Sequence, residues 1–589
     1  MPELPQNIAL VYDDDAYVEL LERPTNRPPD AAQGLMGRQV AGREFLDAYF
    51  THGRWHEMVA LVFGESSRQT LIQYFRTHPA IIADSSRKLR IIARHLFHSR
   101  FFPNSAAPIL HFPCPPDSRY AWARAFGGRA NFAITGLTHT ISTTTVMKGI
   151  CDLVAAPYEP FDMLICISTA AVKVVRTVTD NYAAYLNDRH GGNARLRVRL
   201  AHVPLGVNSE RFRPATDEQR RRERQRLGIA DDAIVVLFVG RLTFSGKVHP
   251  FPIYDALAAA SRRTGKPIHL VMSGWSPSDA VIQIMREGAA VFASGVRLTI
   301  VDGTKPENRF AVWNCADIFT SPTDNIQETL SQVILEAMAC GLPVVATDWD
   351  GCRDQVVPGE TGFLVPTHMV RGASPDLASR HLIEEMAYGP FLGNCNQTVA
   401  VDSAAAADAF VRLIEDGDLR RRMGEAGRRR AVEMFNWPRI VRAYEDLWSE
   451  QDQERRNFLA ASPESAARAV LQPAIFPPID EAFASYPMSF VEDATMIRTE
   501  PDALARLPVV LATPLSNYLP DNRCTDASIL SAALRQAEKG IRVSDLDGHF
   551  NAAGISRAAA RASVAWMLKY RLLRVTQTAD SACTIRAIP

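Results

Sequence analysis

The stretch Ser321-Pro-Thr-Asp-Asn-Ile-Gln-Glu328-Thr-Leu-Ser-Gln-Val-Ile-Leu-Glu336-Ala-Met-Ala-Cys-Gly-Leu-Pro-Val-Val-Ala346 decides how this chain is read. An apolar run ends in Ser-Pro and a polar loop follows. A helical pattern then stops at Gly341, and Pro343 opens the short strand Val344-Val345-Ala346. That order is a βαβ unit whose loop and helix N-terminus point at a ligand beyond the strand ends. The bare Glu-x7-Glu spacing means little, because glutamate is common on solvated helix faces. Its setting is what gives it weight.

Working outward, the run Ala233-Ile-Val-Val-Leu-Phe-Val-Gly240 reads as a buried strand, and Ile268–Ser273, Val296–Val301 and Ile318–Ser321 follow with helical segments between them. Upstream, Ile8–Tyr12, Met58–Phe63, Ile109–Phe112, Phe132–Thr135 and Met163–Ile167 alternate with helical patterns in the same way. Such alternation predicts two doubly wound α/β domains, each a parallel sheet covered by helices, facing each other across a cleft. The expected boundaries are 1–215 and 216–450 for these domains. A polar, then Pro- and Ala-rich linker over 451–484 and a small module over 485–589 complete the chain.

Bulk composition excludes several classes. The 65 basic and 65 acidic residues cancel, so no global field recruits nucleic acid or an anionic surface. Nine scattered cysteines without a Cys-x-x-Cys pair argue for a reducing compartment and against a zinc site or disulfide framework. No apolar run reaches the ~18–20 residues of a membrane span, and Met-Pro-Glu-Leu-Pro-Gln is no signal peptide, so a cytoplasmic location is expected.

The polar residues at the strand ends suggest a ligand. Gly34-Leu-Met-Gly37-Arg-Gln-Val-Ala-Gly42, feeding an amphipathic helix through Phe50, suggests a loop that offers N–H groups to phosphate, although its spacing misses the dinucleotide fingerprint. Arg241 and Lys247, after the strand ending in Gly240, could neutralise a diphosphate: a planar fork and a mobile point charge. Taken alone, both read more simply as solvated loop cations. With helical geometry throughout, Glu328 and Glu336 would stand about 12 Å apart, the reach from a sugar across a diphosphate to a ribose. The N–H groups of Thr329, Leu330 and Ser331 would then face the diphosphate.

At this point the chain resembles the retaining glycosyltransferases of family 4, which have the two-domain GT-B fold of facing Rossmann-like domains. The resemblance covers roughly residues 5–450. It is carried by Val239-Gly-Arg241-x5-Lys247, by Glu328-x7-Glu336-Ala-Met-Ala-Cys-Gly-Leu-Pro, by Gly359-Glu-Thr-Gly-Phe-Leu-Val365, and by Pro204-Leu-Gly-Val-Asn208 before Phe212-Arg-Pro214. It implies that Arg241 and Lys247 bind the donor diphosphate, Glu328 the transferred sugar and Glu336 the ribose. Gly37 falls in the glycine-rich loop and His139 at the active-site histidine. Transfer with retained configuration and without a divalent metal or other cofactor is then expected, the nucleotide diphosphate sugar being the donor substrate. Leu330, Ser331 and Asp354 depart from the usual Phe, Gly and Glu, which bears on donor identity. Asp13-Asp14-Asp15 and Asp348-Trp-Asp350 are read as loops, not metal ligands.

Two segments stand outside that pattern. Ser85–Phe102 holds five Arg or Lys and no acid at helical spacing. Read as a basic amphipathic helix, it either buries its apolar face in the domain, the plainer reading, or rests peripherally on an anionic inner membrane face near a lipid-linked or glycan acceptor. The final module, with helical patterns at Ser528–Lys539 and Ser556–Leu573 and a strand Leu573–Gln577, suggests a winged helix. Acids among its arginines favour a protein partner over nucleic acid. The alternatives to transfer are a nucleotide-sugar sensor signalling through this module, and an epimerase or hydrolase of related fold.

Overall fold

The apolar runs are the strands, and each sheet winds outward from its first strand. The computed structural model describes residues 7–17, 37–97, 107–244, 246–461, 474–519 and 522–577. Its first sheet comprises β1 (Asn7–Tyr12), β2 (Glu57–Val62), β3 (Lys88–Ala93), β4 (Ile109–His111), β5 (Ala133–Leu137), β6 (Met163–Cys166) and β7 (Arg199–His202), all parallel, in the order β3-β2-β1-β4-β5-β6-β7. The second comprises β8 (Ile234–Val239), β9 (Ile268–Gly274), β10 (Val296–Asp302), β11 (Ile318–Ser321), β12 (Val344–Thr347) and β13 (Gly362–Val365), again parallel, in the order β10-β9-β8-β11-β12-β13. Winding reverses between β1 and β4 and between β8 and β11, which opens a crevice at the carboxyl ends of those strands.

The described part of the segment 85–102 is not the expected amphipathic helix. Lys88–Ala93 forms edge strand β3, in register with β2 from Glu57↔Lys88 to Val62↔Ala93; residues 98–102 lie outside the described set. Within it, Lys88 and Arg90 are exposed while Leu89 and Ile91 are partly covered, a period of two rather than 3.6. The basic side chains suit an edge, where charge discourages a further strand from adding, and Arg90 pairs with Glu57 of β2 at 3.0 Å.

The expected linker begins too early, and the second domain does not end at 450. Helix Trp437–Ala461 runs through both boundaries and returns to the first domain. Its Tyr444 and Trp448 are buried against Phe45 and Tyr49 of helix Gly37–His52, with ring centroids 5.0 and 5.7 Å apart. The polar stretch that looked like a solvated linker is polar because it has partners. Gln451, fully buried, accepts from Thr135 Oγ1 (2.5 Å) and donates to the Ile134 carbonyl (3.0 Å), and Arg199 holds Glu450 and Glu454. Residues 462–473 lie outside the described set.

Glycines mark two close approaches. Gly341 adopts φ 75° and ends helix Gln332–Ala339, with Leu342 N–H bonded back to Ala337 O at 3.0 Å. Gly42 lies inside helix Gly37–His52, not in a phosphate loop, and a Cβ there would sit 1.9 Å from the Ala16 carbonyl oxygen. Because that atom is backbone, Gly42→Ala is expected to cost about 1–3 kcal/mol by overpacking. A denaturant midpoint equal to wild type would show that the helix contact is loose.

Residues 474–589 make a second compact unit. Among its described residues are helices Ala503–Ala512, Ala527–Gln536, Val543–Ala552 and Arg557–Lys569. They pack with an antiparallel sheet in which Met496–Thr499 lies between Ile541–Arg542 and Leu573–Gln577. That central strand was not foreseen. Ile497, Leu530, Leu546, Phe550 and Met567 form its core. Among the described residues of the chain, no helix is long and apolar enough to cross a membrane.

Candidate active site

The crevice holds a cavity of about 260 Å³ lined from both sheets. Its floor is made by Gly240, Gly274 and Gly303, at the ends of β8, β9 and β10. These ends touch: a Cβ on Gly274 would lie 1.7 Å from Gly240 O, and Gly303 N–H bonds Gly274 O at 2.9 Å. Glycine here leaves backbone, not side chain, facing the space. Gly274 and Gly303 were missed from sequence, although each follows an apolar strand run as Gly240 does.

All eight candidate residues line this one cavity: Gly37, His139, Arg241, Lys247, Glu328, Thr329, Leu330 and Glu336. Gly37 opens helix Gly37–His52 after β1, and His139 follows β5. Arg241 and Lys247 follow β8, and the glutamate loop follows β11, so the cations and carboxylates flank the second switch point.

Helical geometry does not join the two glutamates. The helix begins at Gln332, with Ser331 before it, and Glu328 sits on the preceding loop. A turn from Glu328 N–H to Asn325 O (3.1 Å) and an ion pair with Lys247 fix Glu328 instead. Arg241 donates to the Gly246 carbonyl (2.9 Å) and to Gln327 Oε1. Thr329 donates through Oγ1 to the carbonyl of His139, tying the glutamate loop to the first domain.

Burial sets the acid–base character here. Burial pushes Glu336 up to about 8, helped by the nearby Glu44 and opposed by Arg309 and Arg211. Glu44 itself, in helix Gly37–His52, is pushed up by burial to about 7 against the Trp437 N–H that it accepts. Gln332 Nε2 bridges the domains by donating to Glu44 Oε2 at 2.7 Å. Burial lowers Arg241, and Glu328 offsets part of that.

Behind the cavity, His111 is fully buried and driven down to about 3 by burial and by His139, so it stays neutral. Asp354, noted as a departure from the family, accepts from Thr169 N–H and Oγ1, each at 2.7 Å, across the domain boundary. Asp350 accepts from Ser168 Oγ at 3.0 Å with φ 42°, and burial with Glu328 nearby holds its carboxyl well above the usual range. These aspartates therefore join the two domains. Among the described residues, no group of three or more His, Cys, Asp or Glu is placed to share a metal ion.

Residues 233–377 match the family model described as glycosyl transferases group 1. The matched segment begins with β8 and takes in β8 to β13, and the first parallel sheet lies outside it. Similar curated proteins include the D-inositol 3-phosphate glycosyltransferase of Geodermatophilus obscurus, 29% identical over 352 residues, covering 57% of this chain and 66% of the relative. That of Corynebacterium efficiens is 29% identical over 254 residues, covering 43% and 51%. The chain thus spans between about half and two thirds of the length of these relatives. Among solved structures, Anabaena HepE in complex with UDP and glucose aligns at TM-score 0.46 and 14% identity, over 76% of this chain and 99% of that one. Sucrose-phosphate synthase from Thermosynechococcus elongatus aligns at 0.46 and 19%, over 78% and 100%.

Proposed function

We propose that this protein transfers a sugar from a nucleoside diphosphate sugar to a glycan, glycolipid or polysaccharide-precursor acceptor, with retained anomeric configuration and without a divalent metal. One observation carries the reading: residues that follow four separate strands, and that suit a donor sugar, its diphosphate and its ribose, converge on a single interdomain cavity. In this reading Arg241 and Lys247 meet the diphosphate, Glu328 the sugar and Glu336 the ribose. His139 lies on the acceptor-side domain near the reacting carbon.

The pairings follow from the charges. As the sugar–phosphate bond breaks, negative charge grows on the leaving diphosphate, and fixed cations stabilise that state more than the ground state. Without donor, Lys247 is neutralised by Glu328 and Arg241 is held by Gln327. Binding would share each cation with phosphate, leaving Glu328 available to accept from a sugar hydroxyl. Attack from the face that the diphosphate leaves would retain configuration.

The C-terminal unit fits a protein-interaction role under the winged-helix reading. Arg557 and Arg561, at the start of its last helix, are held by Asp493 and Asp547, so they are not presented as a phosphate-binding row. This weighs against a sensor that reads out to DNA. The deciding assay incubates the purified full chain with UDP-, GDP- and ADP-sugars and follows transfer and donor hydrolysis. Turnover of one donor is expected. No turnover of any, together with sequence-specific DNA binding, would sink the transferase reading.

A further inference from the structure

Across the end of the matched segment, at residue 377, the chain builds a small layer beside the loop after β11. Thr367–Met369 pairs antiparallel with Val399–Val401, and helices Leu377–Leu382 and Tyr388–Asn396 fill the excursion between them. Leu377, Met386, Phe391, Leu392 and Cys395 form its own apolar core, and that core packs on Ile326. Ile326 immediately precedes Gln327 and Glu328, so the layer sits on the loop that carries the cavity's carboxylate.

One polar group leads from this layer to the cavity. Gln327 Nε2 donates to the Tyr388 hydroxyl at 3.3 Å, and the same hydroxyl bonds Ser142 Oγ at 2.8 Å. Ser142 lies three positions after His139 on the loop of the first domain. Gln327 Oε1 in turn accepts from Arg241. The guanidinium only donates, so it meets the amide's accepting end, and the donating end needs a second partner to keep the side chain in place. A hydroxyl can accept from Nε2 while sharing a hydrogen with Ser142. Phenylalanine could not, and the amide would then lose one of its two tethers and be freer to swing away from the guanidinium.

We propose that Tyr388 is a positioning residue: by holding Gln327 in the orientation that accepts from Arg241, while bonded to Ser142, it sets the Arg241 fork for an incoming diphosphate only when the two domains are closed. This rests on the nucleotide-sugar reading above. The tyrosine does not line the cavity, and its effect is transmitted through Gln327.

The test is a double-mutant cycle on the full chain with Tyr388→Phe, Gln327→Ala and both. The measurements are calorimetric Kd values for UDP, GDP and ADP, kcat and KM with whichever nucleotide sugar is used, and thermal midpoints. Tyr388→Phe alone should weaken binding of the preferred nucleotide and kcat/KM about tenfold, with the midpoint close to wild type. In the Gln327→Ala background it should add less than about a twofold loss, because the link is already cut. Equal losses in both backgrounds, or no loss in the wild-type background, would overturn the proposal. Should Tyr388→Phe fail to fold, Ser142→Ala cuts the chain at its other end. It should cost about threefold alone and nothing further with Gln327→Ala, and a loss independent of Gln327 overturns the proposal. A wild-type chain that binds none of the three nucleotides overturns the nucleotide-sugar reading and this proposal with it. Wild-type binding with an insensitive Tyr388→Phe overturns this proposal alone.

Discussion

Lys247→Ala is expected to lower turnover by about 10²–10³-fold while the protein stays folded. Its ammonium faces Glu328 and lines the interdomain cavity, with side-chain exposures of 19% and 10% for the pair. Removing the cation deletes charge where the leaving diphosphate would develop its own, so the loss falls mainly on the chemical step. The folded state loses one ion pair that is mostly buried, and water can take the ammonium's place beside Glu328, so the cost should be about 1–3 kcal/mol. Steady-state kinetics beside thermal melting separates the two effects. Near-normal rates in a folded variant would show that the diphosphate lies elsewhere.

The second large effect concerns pH. Glu336 and Glu44 are raised by burial to about 8 and about 7, from an ordinary value of 4.5, and Asp324 is raised by burial to about 7 from 3.8. Each carboxyl holds its proton more tightly folded than unfolded. Their contribution to stability is therefore complete below the unfolded values near 4 and is lost as pH rises through about 7 to 8. The unliganded protein should lose on the order of several kcal/mol across that window. Glu336→Gln keeps shape and burial but cannot ionise, so it should flatten much of the slope and raise the thermal midpoint at alkaline pH. It should also weaken nucleotide binding if the ribose hydroxyls use this carboxylate. Thermal midpoints of both proteins from pH 5 to 9 check this, and identical slopes would show that Glu336 does not titrate there.

Much of this was legible in order and residue type. Apolar runs ending in glycine or Ser-Pro gave the central strands, because a strand buried on both faces must be apolar throughout. Edge strand β3 was missed for the same reason: exposed on one side, it carries Lys88 and Arg90 and imitates a basic helix. The linker was placed inside helix Trp437–Ala461 because Glu450, Gln451 and Asp452 look solvated, and nothing local shows that Gln451 bonds the backbone of a strand over three hundred residues away.

The chain alone therefore determined two wound α/β domains, and it named the charged and small residues that belong at their strand ends. Type and periodicity report how a residue meets its own element, and those are local properties. Only the tertiary structure decided that Glu328 stands on a loop held by Lys247, that Glu44 of one domain faces Glu336 of the other, and that Tyr388 reaches Gln327 from beyond the matched segment. These contacts join residues far apart in sequence, and closing the cleft brings them together. Their strength depends on burial and charge in that closed space, which no single stretch of sequence contains.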